Sequence, residues 1–489
     1  MSEPHDLEGI LRSRTPIVAL ETREERRALG LLRQLANRLP WPVYKWTLTE
    51  GLTSLAFDFA LEGRHTDPVA VLRHIRDAAQ AGVYVLVDFH PFLDDPVNVR
   101  LIKDIALGYD INPRTLVLLS HELTLPPELD NHALPFHLQL PDRETRRRIV
   151  MDEARRWKAE RGRKVGADRE ALERLIDNLS GLTAAEVRRL AHKAIFDDGV
   201  IDDRDLPRLM QAKYELINQD GVLHFEYETE RFADIGGFAR LREWLERRRS
   251  AFRDPHPALD APRGILLLGV QGCGKSLAAR AVAGIWRIPL LRLDFATLYN
   301  KYHGETERNL RKALKAAEAM APCVLWVDEI EKGLSTSDSD AGTSRRVLGT
   351  LLTWMAEPDR RVFLVATAND IQALPPELIR KGRLDEIFFV DLPDRAARKH
   401  IFDIHLRKRG VDPLHFNTGE LARETEGFSG AEIEQLVVSA LYAAHARNVP
   451  LSDADLRAEI ARTRPLSVVM AEKIAALREW ARARTVPVD

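Results

Sequence analysis

Cysteine is scarce in this sequence: among 489 residues there are two, Cys273 and Cys323, in separate segments. That excludes a disulfide framework and a cysteine-built metal cluster, and it suits a reducing compartment. Long apolar runs are missing as well. Nothing approaches the ~18 consecutive apolar residues of a membrane span, and the opening MSEPHDLEGILRSRTP lacks the apolar core of a secretory leader. No membrane partner is therefore expected. Nor does one sign of charge dominate. The 72 Lys and Arg against 74 Asp and Glu leave a formal charge of -2, so any binding of nucleic acid would have to be local. What remains, 45% hydrophobic and 30% charged residues, is globular, and the length exceeds one compact core. Two modules are expected, or three if a linker or tail packs on its own.

The most informative segment is GILLLGVQGCGKS, residues 264–276. An apolar strand runs into G-x-x-x-x-G-K-S, and helix-forming LAARAVAGIW follows. Glycines at 269, 272 and 274 let backbone amides curl around phosphate oxygens, and the helix N-terminus favours negative charge. Lys275 would neutralise the β- and γ-phosphates and the Ser276 hydroxyl would ligate magnesium, with Gly269, Gly272, Cys273, Gly274 and Leu277 completing the nucleotide-binding loop. ATP and Mg2+ are the cofactors this pattern implies. Further on, the apolar strand CVLWV ends in Asp328 and Glu329. The first acid suits a magnesium water shell and the second suits polarising an attacking water. A third strand, VFLVATAN, ends in Asn369, an uncharged amide able to touch both a γ-phosphate and that water.

These motifs, with FADIGG (232–237), KYHGETERNLR, SRRVLGTLLTWM, LIRKGRLDEI and GFSGAEIEQLV in the same order, resemble the AAA ATPase family over roughly residues 228–489. The resemblance implies that Ile235, Gly236 and Gly237 line the adenine pocket, that Asn369 is sensor 1, and that Arg380 and Arg383 are arginine fingers acting on a neighbour's ATP. It also implies a homo-oligomeric ring, usually a hexamer, and places Tyr302 on a pore loop that grips a protein client. Some positions depart from the family pattern. Gln271 stands where many relatives have proline, Ser276 replaces the commoner threonine, and Ala431 follows the GFSG turn where a sensor 2 arginine would sit in other branches. Cys273, near Lys275, raises the alternatives of an oxidisable thiol of lowered pKa and a passive small side chain.

The first half echoes the second. VLVDFH (85–90) resembles VLWVDE, TLVLLSHELTLPPELD resembles VFLVATANDIQALPPELI, both continue into an LPD turn, and GLTAAEVRRLAHKAI (181–195) matches the pattern of GFSGAEIEQLVVSAL. Where the phosphate loop would be, however, stand Thr22, Arg23, Glu24 and Glu25, which present carboxylates to a place that needs amides. Asp88 keeps the first acid of the pair, Phe89 replaces the second, Ser120 lies near the sensor position, and DNHALPFH has no arginine. This module is expected to be catalytically dead. The basic stretch 143–164 interleaves Glu144, Asp152, Glu153 and Glu160 and reads as a solvated helix rather than a nucleic-acid track.

The expected fold is therefore α/β, with tandem P-loop NTPase-like modules, each a parallel sheet flanked by helices with a small helical lid. The expected boundaries are a degenerate core at 1–155, its lid at 156–198, a linker at 199–228, an active core at 229–395, and lid and terminal helices at 396–489. A dead module before an active one, with RTPIVALETREERR and RPLSVVMAEKIAALREWARAR near the two ends, is similar to the Ycf-type family, hypothetical chloroplast reading frame forty-six. That resemblance implies a bacterial cytosolic protein, or a plastid stromal one if the source is an alga. Three functions follow as alternatives: a ring motor that remodels a protein client, a nucleotide-gated assembly scaffold with slow turnover, and a nucleic-acid remodeller. The first is the leading expectation, and nucleic acid is not an expected partner.

Overall fold

Strands buried on both faces must carry apolar side chains at successive positions, with alternate residues feeding two different cores. Both sheets of this protein follow that rule. The computed structural model describes all residues except 1–2, 57–64, 203, 218–221, 227–234, 236, 254–257, 301–305, 335–340, 358–360 and 381. The chain forms two compact units, residues 1–144 with 182–189, and residues 145–181 with 190–489.

The first unit contains β1 (Ile17–Glu21), β2 (Val43–Thr47), β3 (Gly51–Ser54), β4 (Gly82–Val87), β5 (Arg114–Ser120) and β6 (Ala133–His137), arranged in the order β3-β2-β4-β5-β1-β6. Among the described residues of this sheet, only the β2–β3 pairing is antiparallel. Val83, Val85 and Val87 of β4 pack with Leu32 and Leu35 of helix Glu25–Ala36. Tyr84 and Leu86 point the other way, toward Leu72 and Ile75 of helix Pro68–Asp77 and Ile102 of helix Pro96–Leu107.

In the second unit a two-stranded ladder of β7 (Gly166–Ala167) and β8 (Val200–Ile201) precedes the main sheet. That sheet contains β9 (Leu223–Glu226), β10 (Gly264–Gly269), β11 (Leu290–Leu293), β12 (Cys323–Val327), β13 (Val362–Ala368), β14 (Glu386–Val390) and β15 (Val486–Pro487), in the order β15-β14-β10-β13-β12-β11-β9. Leu266 and Leu268 of β10 enter one core, and Ile265 and Leu267 enter the other. Helices Arg395–Lys408, Thr418–Glu424 and Gly430–Ala446 form a lid around Phe402, Leu406, Leu436 and Val437.

The two central sheets share one topology. The first strand lies between the fourth and fifth parallel strands, then come the third and second, and an antiparallel strand closes that edge. The fold is thus α/β with tandem modules. In the helix Arg143–Arg161, Arg155 pairs with Asp152 and Arg156 with the buried Glu153 of the same helix, while Arg147 pairs with Glu173 of helix Arg169–Asn178.

Candidate functional site

The second module's β10 carries the chain to the carboxyl edge of its sheet, flanked by β13 and β14. A Cβ at Gly269 would lie 2.0 Å from the Val390 carbonyl oxygen, so glycine is required for β10 to approach β14 there. The loop then turns through Gly272 at φ +77° and Gly274 at φ +86°, left-handed conformations that side chains resist, and Lys275 opens helix Lys275–Trp286. Lys275 is buried, and its ammonium donates to the carbonyls of Gly269 (2.9 Å) and Val270 (2.8 Å). Burial lowers its pKa to about 8, although Glu331, Asp328 and Glu329 pull the other way.

Across the loop, the ends of β12 and β13 bring the acids together. The Ser276 hydroxyl donates to Asp328 Oδ1 at 3.2 Å, and the Thr367 hydroxyl donates to the same oxygen at 2.5 Å. Glu329, held at φ +47°, donates its backbone N–H to Thr367 Oγ1 at 2.9 Å. Its Oε1 accepts from Asn369 Nδ2 at 2.9 Å, and its Oε2 pairs with Lys332. The backbone N–H of Asn369 donates to Glu331 Oε1 at 2.9 Å. Glu331 is buried, its Oε2 has no hydrogen-bond partner, and desolvation raises its pKa. The structure thus joins Ser276, Asp328, Glu329 and Asn369 through direct hydrogen bonds and through Thr367.

These groups face a cavity of about 710 Å³ lined by residues 271–277, Asp328, Glu329, Thr367, Asn369, Ile235 and Phe238, with His405, Ala431 and Glu434 from the lid and Val488 and Asp489 from the terminal strand segment. The lid is tied to the loop: Ala431 N donates to the Gly272 carbonyl at 3.0 Å. Gly237 has φ +84°, a left-handed conformation that favours glycine, and lies against the Asp489 carboxylate. Leu277 is partly exposed on the cavity wall. Gly236 and Tyr302 lie outside the described residues. Arg380 is exposed and Arg383 donates to the Glu377 carbonyl; neither lines the cavity.

Of the two alternatives for Cys273, burial supports the passive side chain. Cys273 is buried, and desolvation pushes its thiol up to about 12 despite the nearby Lys275 charge. The side chain is a protonated, passive filler of the loop, not an activated thiolate. Sequence reading also missed Thr367, Glu331, His405, Glu434 and Asp489. Thr367 had a signal, since it lies two residues before Asn369 on the same strand face. The others reach the site through helix and strand packing that spacing does not reveal.

The first module places different chemistry at its corresponding edge. Glu24 precedes helix Glu25–Ala36, and its carboxylate accepts from Arg27 Nη1 and from Ala184 N, both at 2.8 Å. The start of helix Ala184–Phe196 is thus held by a carboxylate, where the second module uses the Gly272 carbonyl of its glycine loop.

Comparison with known families gives different family matches along the chain. The SpoVK-like AAA ATPase N-terminal domain matches residues 4–138 and the SpoVK-like second domain matches 144–220. The ATPase family associated with various cellular activities (AAA) matches 265–392, and the AAA+ lid domain matches 415–458. The chain is 34% identical to the AAA domain-containing protein ycf46 of Pyropia yezoensis over 98% of each chain. Its identity with ycf46 of Guillardia theta is also 34%, covering 99% of this chain and 96% of that one. The proteasome-activating nucleotidase of Aeropyrum pernix is 36% identical over 43% of this chain and 54% of its own length. No described helix is long and apolar enough to cross a membrane.

Proposed function

Because this chain belongs to the ycf46 family of AAA proteins, we propose that its second module binds ATP with magnesium and hydrolyses it as part of a homo-oligomeric ring that acts on a protein client. The observation that carries this reading is the hydrogen-bonded series Ser276–Asp328–Thr367–Glu329–Asn369 facing Lys275 across one cavity.

The residues fit the ligand. A buried ammonium resting on two carbonyls is complementary to an anion, and the left-handed glycines at 272 and 274 keep the loop free of side chains where phosphate oxygens need close approach. When bound, ATP supplies the scissile phosphoanhydride and magnesium supplies positive charge along the phosphates. Lys275 exchanges carbonyl oxygens for phosphate oxygens. Ser276 Oγ and Asp328 Oδ1, already in contact, would hold a magnesium ion there. Glu329 Oε1 accepts a proton from the attacking water, and Asn369 Nδ2, its present partner, orients that water and the carboxylate together. Ile235 would seat the adenine, with Phe238 on the same wall, and Gly236 and Gly237 belong to this pocket on the family resemblance alone. In this reading residues 229–395 are the working core and 396–489 its lid and terminal helices, while the first module does not turn over nucleotide.

The exposure of Arg380 and its absence from this chain's own cavity support a role on a neighbour's ATP. The test is the ATPase rate per subunit against protein concentration, with native mass recorded at each point. The specific rate is expected to climb as a larger assembly forms, and Arg380→Ala is expected to abolish that climb, with a loss of roughly 10³-fold. Equal turnover by a monomer would remove the shared site and favour the slow scaffold.

A further inference from the structure

In the first module, three metal-ligating side chains meet at the strand edge where the second module places its acid pair. β4 and β5 run in register, with Val87 opposite Leu119, and Asp88 N donates to the Leu119 carbonyl at 2.8 Å. Asp88 therefore leaves β4 beside Ser120, the last residue of β5, and does so at φ +52°. His90 opens the short turn His90–Phe92 directly after, and His121 follows Ser120. Ligand atoms of Asp88, His90 and His121 all lie within 4.8 Å of one another, and the two imidazole rings stand edge to face with centroids 4.9 Å apart. We propose that Asp88, His90 and His121 form a binding site for a divalent transition-metal ion of the zinc class.

The donor set selects the ion. Magnesium and calcium prefer oxygen ligands throughout, whereas two imidazoles and one carboxylate suit zinc, cobalt or nickel. The surroundings fit as well. The buried Ser120 hydroxyl lies 3.2 Å from His90 Nδ1, a neighbour of the kind that orients metal-binding histidines. Around tetrahedral zinc, ligand atoms are about 3.3 Å apart. Asp88 and His121 are exposed, so small side-chain rotations can bring the donors to that spacing without disturbing a core. The same exposure leaves the outer side of the ion to water, giving three protein ligands and an open position.

Glu24 and Phe89 explain why this edge does not repeat the magnesium chemistry of the second module. Glu24 puts a carboxylate where phosphate would need amides, and Phe89, fully buried against Trp46, fills the second acid's position with a core side chain. The retained acid, Asp88, gains imidazole neighbours instead.

The test uses the full, tag-free chain stripped by a chelator. Zinc is titrated in competition with a chromophoric chelator, and the visible spectrum of the cobalt form is recorded. One zinc per chain at micromolar affinity or tighter is expected, with cobalt d–d bands and no sulfur-to-cobalt charge transfer, since neither cysteine takes part. His121→Ala and Asp88→Asn should each weaken zinc by at least about tenfold. Asparagine tolerates the left-handed backbone of position 88, and thermal melts of the stripped variants should match the stripped parent. Asp328→Asn should leave zinc affinity unchanged. The proposal is overturned if the chain takes up no zinc, if binding survives both first-module substitutions, or if Asp328→Asn is the change that abolishes it.

Discussion

Lys275 carries an ammonium into a buried place where the nearby Glu331, Asp328 and Glu329 only partly offset its desolvation. The Gly269 and Val270 carbonyls satisfy its hydrogens, but two neutral dipoles do not repay the desolvation of an ammonium, which is why its pKa falls to about 8. The sign of the consequence is fixed. Without nucleotide, Lys275 loses its proton as pH rises through about 8; with phosphate beside it, the charged form is favoured and the proton is retained. Binding above pH 8 must therefore take up a proton. ATP affinity should fall with rising pH there, by up to about tenfold per unit. Calorimetry at pH 9 in buffers of different ionisation enthalpy should show that uptake, and Lys275→Arg, which stays charged, should flatten the dependence of whatever binding it retains. Affinity constant from pH 7.5 to 9.5 would mean that the ammonium stays charged in the free protein.

At the scale of an element, the lid helices show how one local device serves both modules. Ser429 caps helix Gly430–Ala446, with its N–H and hydroxyl both donating to Glu432 Oε2, while Glu432 Oε1 accepts from Leu466 N at 2.7 Å. Thr183 and Glu186 repeat the arrangement at the start of helix Ala184–Phe196. Ser429→Ala removes one cap, worth about 1 kcal/mol, whereas Glu432→Ala leaves three donors without their acceptor and should cost about 2–3 kcal/mol. Hydrogen exchange read residue by residue should show the Leu466 amide opening in Glu432→Ala but not in Ser429→Ala; equal behaviour in the two variants would mean that Leu466 is held by other contacts. This repeat was legible in the sequence because capping boxes and apolar strands leave local, periodic marks. So were Lys275 and Ser276, which follow a glycine loop between strand and helix, and Asp328, Glu329 and Asn369, which follow strand ends. Glu331 was not, because what singles it out is an unpartnered buried oxygen, and burial is a property of packing. The grouping of Asp88, His90 and His121 was equally hidden, since it depends on the register of β4 against β5 and not on spacing along the chain.

For the whole molecule, the five parallel strands at the centre of the two sheets run in one order, yet among the described residues only the second module's edge carries left-handed glycines and a buried lysine. Strand order is set by apolar alternation and short right-handed connections, constraints that survive the loss of an active site. A phosphate loop is set by a few glycines and one lysine, and losing them costs the fold little. Thr22 to Glu25 show the result: Glu24 is sequestered by Arg27 and Ala184 N, with no left-handed glycine beside it. Replacing a carboxylate held by two donors with a triphosphate would require breaking both contacts and bringing like charges together. The full chain should therefore bind one ATP, not two, and Lys275→Ala should bind none, with equilibrium dialysis against labelled ATP as the measurement. A second equivalent, or binding that survives Lys275→Ala, would place nucleotide in the first module despite Glu24. One equivalent lost entirely with Lys275 would mean that duplication kept a scaffold and divided its chemistry, with phosphate at one strand edge and different ligands at the other.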